Sequence, residues 1–182
     1  AYRDTVQVNT LIDTLLQHIG AEKIAERVQH RLEGLRVVSY YGCLLTRPPD
    51  VTEAEHPENP TGMDELLAAL GADVRDWSYK TSCCGAAHSL TRQDIVIKLS
   101  SGLIEHARDV GADVIAVACP LCHMNLDARQ FQMGLESPMP VLYFTQLMAV
   151  AFGLPEKAAA FNRNLVDPRP LLREKGLLDF YH

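Results

Sequence analysis

Apolar side chains in the first thirty residues fall at Val8, Leu11, Ile12, Leu15, Leu16 and Ile19, then at Ile24, Ala25 and Val28. That spacing of three and four lines one face of a helix, and Gly20 divides it into two. The rhythm changes over 35–42, a run of β-branched and aromatic residues that reads as a buried strand. Gly42 and Cys43 stand at its exit. Residues 46–60 hold four prolines among several carboxylates, the composition of a surface excursion without a core of its own. Thr61 is placed to cap a helix over 63–70 that stops at Gly71. Alternation returns over 73–79 and predicts a second strand, which delivers Cys83, Cys84 and Gly85.

The longest predicted helix covers 93–110, with Ile95, Val96, Leu99, Leu103, Ile104 and Ala107 on one face and Gly111 at its end. Residues 114–118 are all apolar, as in a parallel strand covered on both faces, and they open directly onto Cys119. Pro120 suits the first turn of a helix running to about 132, which puts Cys122 in the same turn. A fourth strand over 141–144, a helix over 146–152 and two short helices around 156–161 and 171–175 complete the pattern. Regular alternation of strand and helix predicts an α/β fold: an open, mostly parallel sheet flanked by helices, Rossmann-like and doubly wound. In such sheets ligands gather beyond the carboxyl ends of the strands, where all the cysteines are expected. The reading is one domain over 1–182, with N-terminal helices in 1–33, a cysteine-bearing α/β core in 34–152 and a helical extension in 153–182.

Composition narrows the functions. A chain of 182 residues is long enough for a core that needs no staples. Its net charge of −6, without a Lys/Arg run, gives no footprint for nucleic acid or an anionic membrane surface. The apolar stretch 114–118 is far short of the ~20 residues of a membrane span. The start, Ala1-Tyr2-Arg3-Asp4, lacks the plan of a secretory signal. The cysteines are odd in number and are not spaced like a small secreted scaffold, so metal-bound thiolates in the cytoplasm fit better than disulfides.

All five cysteines belong to one pattern: Cys43, then thirty-nine residues, the vicinal pair Cys83-Cys84, then thirty-four residues and Cys119-Pro120-Leu121-Cys122. Five thiols suit a multi-iron cofactor, because irons bridged by sulfide offer more coordination positions than one tetrahedral ion. Adjacent cysteines on an extended chain point to opposite sides, and Gly85 permits the turn that brings them together. Two other chemistries share parts of the pattern. Zinc uses C-x-x-C doublets, usually in pairs. A thioredoxin-like dithiol needs Cys119 and Cys122 alone.

The frame of a single Cys, Cys-Cys-Gly and Cys-Pro-x-Cys resembles the CCG cysteine-rich domain of the heterodisulfide reductase B-subunit family. Tyr40-Tyr41-Gly42-Cys43 with Arg47-Pro48-Pro49 resembles its first element. Ser82-Cys83-Cys84-Gly85-Ala86 resembles the second, and Cys119-Pro120-Leu121-Cys122 with Asn125-Leu126-Asp127 the third. The match runs from about Thr5 to Phe152, with one residue fewer than usual between the second and third elements. That family carries two such domains in tandem and this chain resembles the C-terminal one, so a fragment or one part of a split protein is expected.

The resemblance implies a noncubane [4Fe–4S] cluster held by Cys43, Cys83, Cys84, Cys119 and Cys122, and reductive cleavage of a disulfide or electron transfer to a thiol/disulfide substrate. It also implies partners: flavin and ferredoxin-type iron–sulfur subunits, and a second CCG domain or half. The competing expectation is a non-catalytic module whose thiols bind zinc or a cubane cluster and organise a complex. His88 and His123 lie near cysteines and are candidate proton donors. Arg47 and Lys80 are candidates for an anionic substrate group, Trp77, Tyr40 and Tyr41 for core, and Asn125 and Asp127 for fixing the chain around Cys122.

Overall fold

The computed structural model describes residues 3, 5, 8–135 and 137–179. Ala1, Tyr2 and Asp4 of the expected start, and position 182 of the expected domain limit, lie outside the described residues. The two N-terminal helices form as the periodicity requires, α1 at Leu11–His18 and α2 at Ala21–Ala25, parted by Gly20. Thr10 caps α1 by accepting from the Asp13 amide at 3.1 Å. Strand β1 is Arg36–Tyr40. The excursion after it contains one helical turn that its composition does not announce, α3 at Pro49–Thr52, started by a proline in its first turn. Helix α4 covers Gly62–Ala69, with Thr61 before it making no side-chain cap.

Strand β2 is shorter than its alternation predicts. It comprises Asp73–Val74, not 73–79. The backbone amides of Asp73 and Arg75 donate to the carbonyls of Leu35, just before β1, and Val37 within it, and the next carbonyl in that series is Ser39. The Trp77 indole Nε1 donates to it instead, at 2.9 Å. A side chain thus takes the place of a ladder amide, and the strand ends.

Helix α5 is Gln93–Asp109, β3 is Val114–Val117, and α6 is Pro120–Ala128 followed by a 3₁₀ turn at Gln130–Gln132. Strand β4 is Val141–Tyr143 and runs straight into α7, Phe144–Ala151. The extension adds α8 at Glu156–Ala159, a 3₁₀ turn at Phe161–Arg163 and α9 at Arg169–Glu174.

The sheet is parallel throughout, in the order β2-β1-β3-β4. Its alternate residues feed two cores. Val37, Val114, Ala116 and Leu142 face α1, α2, α4, α7 and the extension, whereas Val38, Tyr40, Ile115, Val117 and Val141 face α5 and α6. The fold is therefore the expected α/β sheet with helices on both faces. The chain leaving β1 goes on to α4 on one face and the chain leaving β3 enters α6 on the other, although the strands are neighbours. Their divergence opens a crevice at the carboxyl edge, where doubly wound sheets bind ligands.

Candidate metal centre

Each cysteine reaches the crevice by a different local device. Cys43 follows β1 through Gly42, whose φ of +70° only glycine adopts readily. The Tyr41 and Gly42 amides donate to the Lys80 carbonyl at 2.8 and 3.1 Å, tying this exit to the segment that carries the vicinal pair. A Cβ on Gly42 would lie 2.6 Å from Cys122 Sγ, so the backbone passes directly against that sulfur. Cys84 is turned inward by Gly85, with φ of +82°, and its carbonyl accepts from Ser100 on α5 at 3.3 Å. Cys119 follows β3 after Ala118 as the N-cap of α6, and Cys122 occupies the first turn of that helix.

The five sulfurs form two contacting sets at one mouth. Cys84 Sγ and Cys122 Sγ stand 3.7 Å apart, both nearly out of solvent at 2% and 5% exposure. Cys119 is a neighbour of Cys122, and Cys83 a neighbour of Cys43. Cys83 is exposed, whereas Cys43 and Cys119 are half-buried. Among the described residues no three His, Cys, Asp or Glu side chains close on a single ion.

The donor set nevertheless fits iron and sulfide. Two thiolates on one tetrahedral ion with ~2.3 Å bonds lie about 3.8 Å apart. The Cys84 and Cys122 sulfurs already stand at that span. The groups facing the sulfurs are donors: the Gly85 amide to Cys83 Sγ at 3.2 Å and the Asn125 Nδ2 to Cys84 Sγ at 3.5 Å. Cys119 is the N-cap of α6 and Cys122 lies in its first turn, so the positive end of the helix stands beside both sulfurs.

The sulfur pair at the back shares its protons unequally. The hydrogen bond from Cys122 holds the Cys84 thiol down to about 6 against its burial, helped by Asn125 and the Ala86 amide. Cys122 is correspondingly pushed far up, first by that same bond and then by burial. Burial, followed by the neighbouring Cys83, also raises Cys43. Cys84 gives up its proton more readily than Cys122 and Cys43, so binding a metal to these sulfurs displaces protons.

Behind Cys84 lies a set of polar contacts that the sequence only half reveals. Asn125 stands out by its place after the last cysteine, but its partners do not: Oδ1 accepts from Ser89 Oγ at 3.1 Å and from Arg129 Nε at 3.3 Å. Arg129 Nη2 also donates to the Ser89 carbonyl at 2.9 Å. An arginine four residues after an asparagine on a helix is a detectable signal, because i and i+4 share a face. Asp127 holds a different element, accepting from the Leu165 and Val166 amides at 2.6 and 3.0 Å.

The two candidate histidines occupy different surroundings. His88 is exposed, in the 3₁₀ turn that follows Gly85. His123 is enclosed and stacked on Tyr143 with ring centroids 4.5 Å apart, and burial lowers its pKa. Its Nε2 lies 3.1 Å from both the Val141 carbonyl and Asn164 Nδ2.

Lys80 is not free to meet an anionic substrate. It is buried, with Nζ 2.9 Å from Asp64 Oδ1 and 3.3 Å from the Pro60 carbonyl, because the excursion and α4 fold over it. Arg47 is paired with Glu58. Tyr40, Tyr41 and Trp77 belong to the core, as expected, although Trp77 sits beyond β2 and not within it. A cavity of about 850 Å³ lies beside the Cys43 loop, lined by Tyr41, Leu44, Asp13, Glu53 and His56 among others. No described helix is long and apolar enough to cross a membrane.

Known proteins share this arrangement of sequence and fold. The profile of the family described as a cysteine-rich domain, CCG, matches residues 37–127. The 8-methylmenaquinol:fumarate reductase membrane anchor subunit of Wolinella succinogenes is 32% identical over 176 residues, 94% of this chain and 61% of that protein. The B-subunit of the ferredoxin/F(420)H(2)-dependent CoB-CoM heterodisulfide reductase of Methanosarcina acetivorans is 31% identical over 91% of this chain and 57% of its own length. A protein of Archaeoglobus profundus described as like the heterodisulfide reductase B-subunit is 32% identical over 80% of this chain and 52% of its own. The chain thus spans a little over half the length of these relatives. A crystal structure of a hypothetical protein from Helicobacter pylori shares the fold, with a TM-score of 0.60 at 8% identity over 80% of this chain and 28% of that one.

Proposed function

Because this chain belongs to the CCG cysteine-rich domain family, we propose that it is the iron–sulfur part of a heterodisulfide reductase-like oxidoreductase acting on a sulfur group. Cys43, Cys83, Cys84, Cys119 and Cys122 would hold a noncubane [4Fe–4S] cluster, which when bound supplies the single electrons that cleave a disulfide. The observation that carries this reading is the convergence of five sulfurs on one crevice, with Cys84 and Cys122 Sγ 3.7 Å apart and Gly42 backbone against the latter. Cys83, exposed, and Cys43 beside it form the open side from which a disulfide approaches. Asn125, the Gly85 amide and the first turn of α6 stabilise negative charge on sulfur. His88, exposed beyond Gly85, is placed to deliver a proton from water to a departing thiolate, while enclosed His123 holds the β4 side of the site in register. The reading includes a second cysteine-rich half, together with flavin and ferredoxin-type partner subunits in the cytoplasm. The isolated chain need not turn over.

The test is metal analysis of protein purified without air. About four irons with matching sulfide per chain, and a paramagnetic signal on oxidation with a substrate thiol, are expected. Cys43→Ala should lose or alter that centre while leaving four thiols. Stoichiometric zinc without iron overturns the proposal, as does a metal content that Cys43→Ala leaves unchanged.

A further inference from the structure

Asn125 can turn its amide either way, and the group that decides is Arg129. A guanidinium donates and never accepts, so the oxygen of Asn125 must face Arg129 Nε, 3.3 Å away. Ser89 Oγ donates to the same oxygen at 3.1 Å. The amide nitrogen is left facing Cys84 Sγ at 3.5 Å. Arg129 is itself held by the Ser89 carbonyl, at 2.9 Å, so cation, amide and sulfur form a short connected path. Asn125 and Ser89 are buried, which keeps the dipoles aligned and strengthens their effect on the sulfur.

We propose that Arg129 is a positioning residue that sets the reduction potential of the metal centre, by fixing and polarising the Asn125 amide against the Cys84 sulfur. The inference rests on the iron–sulfur reading above. Reduction adds one electron to the centre, taken from the titrant, and so adds negative charge on and around its sulfurs. A cation acting through a donor N–H stabilises the reduced form more than the oxidised one. Removing that cation therefore drives the midpoint to more negative potential.

The full chain, purified without air, is titrated with dithionite and reoxidised with ferricyanide while its spectrum is followed, alongside Arg129→Gln, Arg129→Met and Arg129→Lys. The neutral variants are expected to keep their iron and favour the oxidised form about tenfold more at a fixed ambient potential, a negative shift of about 59 mV for a one-electron couple. Lysine, which keeps the charge but not the planar fork, should fall between them and the native chain. Methionine keeps the aliphatic stem should glutamine disturb folding. Iron-loaded neutral variants with the native midpoint overturn this proposal alone and leave the iron–sulfur reading standing. A native chain without iron overturns both. Loss of iron from all three variants marks Arg129 as structural and overturns its tuning role.

Discussion

Gly42 answers two demands that a residue with a side chain could not meet together. Its φ is +70°, and a Cβ there would lie 2.6 Å from Cys122 Sγ. Gly34 has a similar φ of +78° with nothing within 4 Å, so it isolates the backbone cost. Gly34→Ala should cost about 1 kcal/mol from the left-handed conformation alone. Gly42→Ala should cost that and a further 1–3 kcal/mol or so from overpacking, and should lower the iron bound per chain. Urea unfolding of the metal-free proteins checks the difference, and equal losses in the two variants would sink the role given to the sulfur contact. Cys43, Cys119 and Cys122 are legible in the sequence because chain spacing puts them just after strands, whereas Cys83 and Cys84 lie well beyond the end of β2 at Val74. Ser89 is not legible, since it meets Asn125 across 36 positions and its carbonyl meets Arg129 across 40, whereas Arg129 shows only in its place four residues after Asn125. Lys80 misleads for the same reason: its partners Asp64 and Pro60 become neighbours only when the excursion folds back.

At the scale of elements, periodicity foretells α5, β3 and α7 closely because each has a face that must be buried. It overestimates β2, where alternation continues to Tyr79 but the Trp77 indole takes the Ser39 carbonyl. A hydrogen bond from a side chain leaves no trace in apolar spacing. Helix α6 shows the opposite case, a functional element steadied from outside its own segment. Asp127 accepts two amides of the extension, at Leu165 and Val166. Asp127→Asn turns one acceptor into a donor facing an amide and should cost roughly 1–3 kcal/mol. The extension should then open locally, so limited trypsin digestion should cut after Arg163 faster than in the native chain. Unchanged digestion would show that the extension is held by its apolar contacts alone.

Over the whole molecule, Asp113 links parts that are far apart in sequence. It accepts from the Arg36 backbone at 2.9 Å and from Arg36 Nε at 3.0 Å, and lies 3.1 Å from Lys175 Nζ in the extension. Burial pushes this carboxyl up, but the Arg36 hydrogen bonds and Lys175 together outweigh it and hold the group down to about 2. The unfolded chain titrates this group near 3.9, so the folded state gains stability above that pH and loses it as pH falls toward 2. Arg36 is 42% exposed and screened by solvent, which limits the contribution to about 1 kcal/mol. Asp113→Asn should be that much less stable at pH 7 and should show a shallower fall between pH 4 and 2 in thermal melts. Parallel acid profiles would remove the carboxylate from the account. The same contrast between surface and interior runs through the vicinal pair, where one peptide bond separates an exposed sulfur from one at 2% exposure. Oxidants dissolved in water meet Cys83 and not Cys84, and the climb from sulfenic to sulfonic acid begins at the outer residue. The molecule ages from its doorway inward, and its inner sulfurs are the last to record exposure to air.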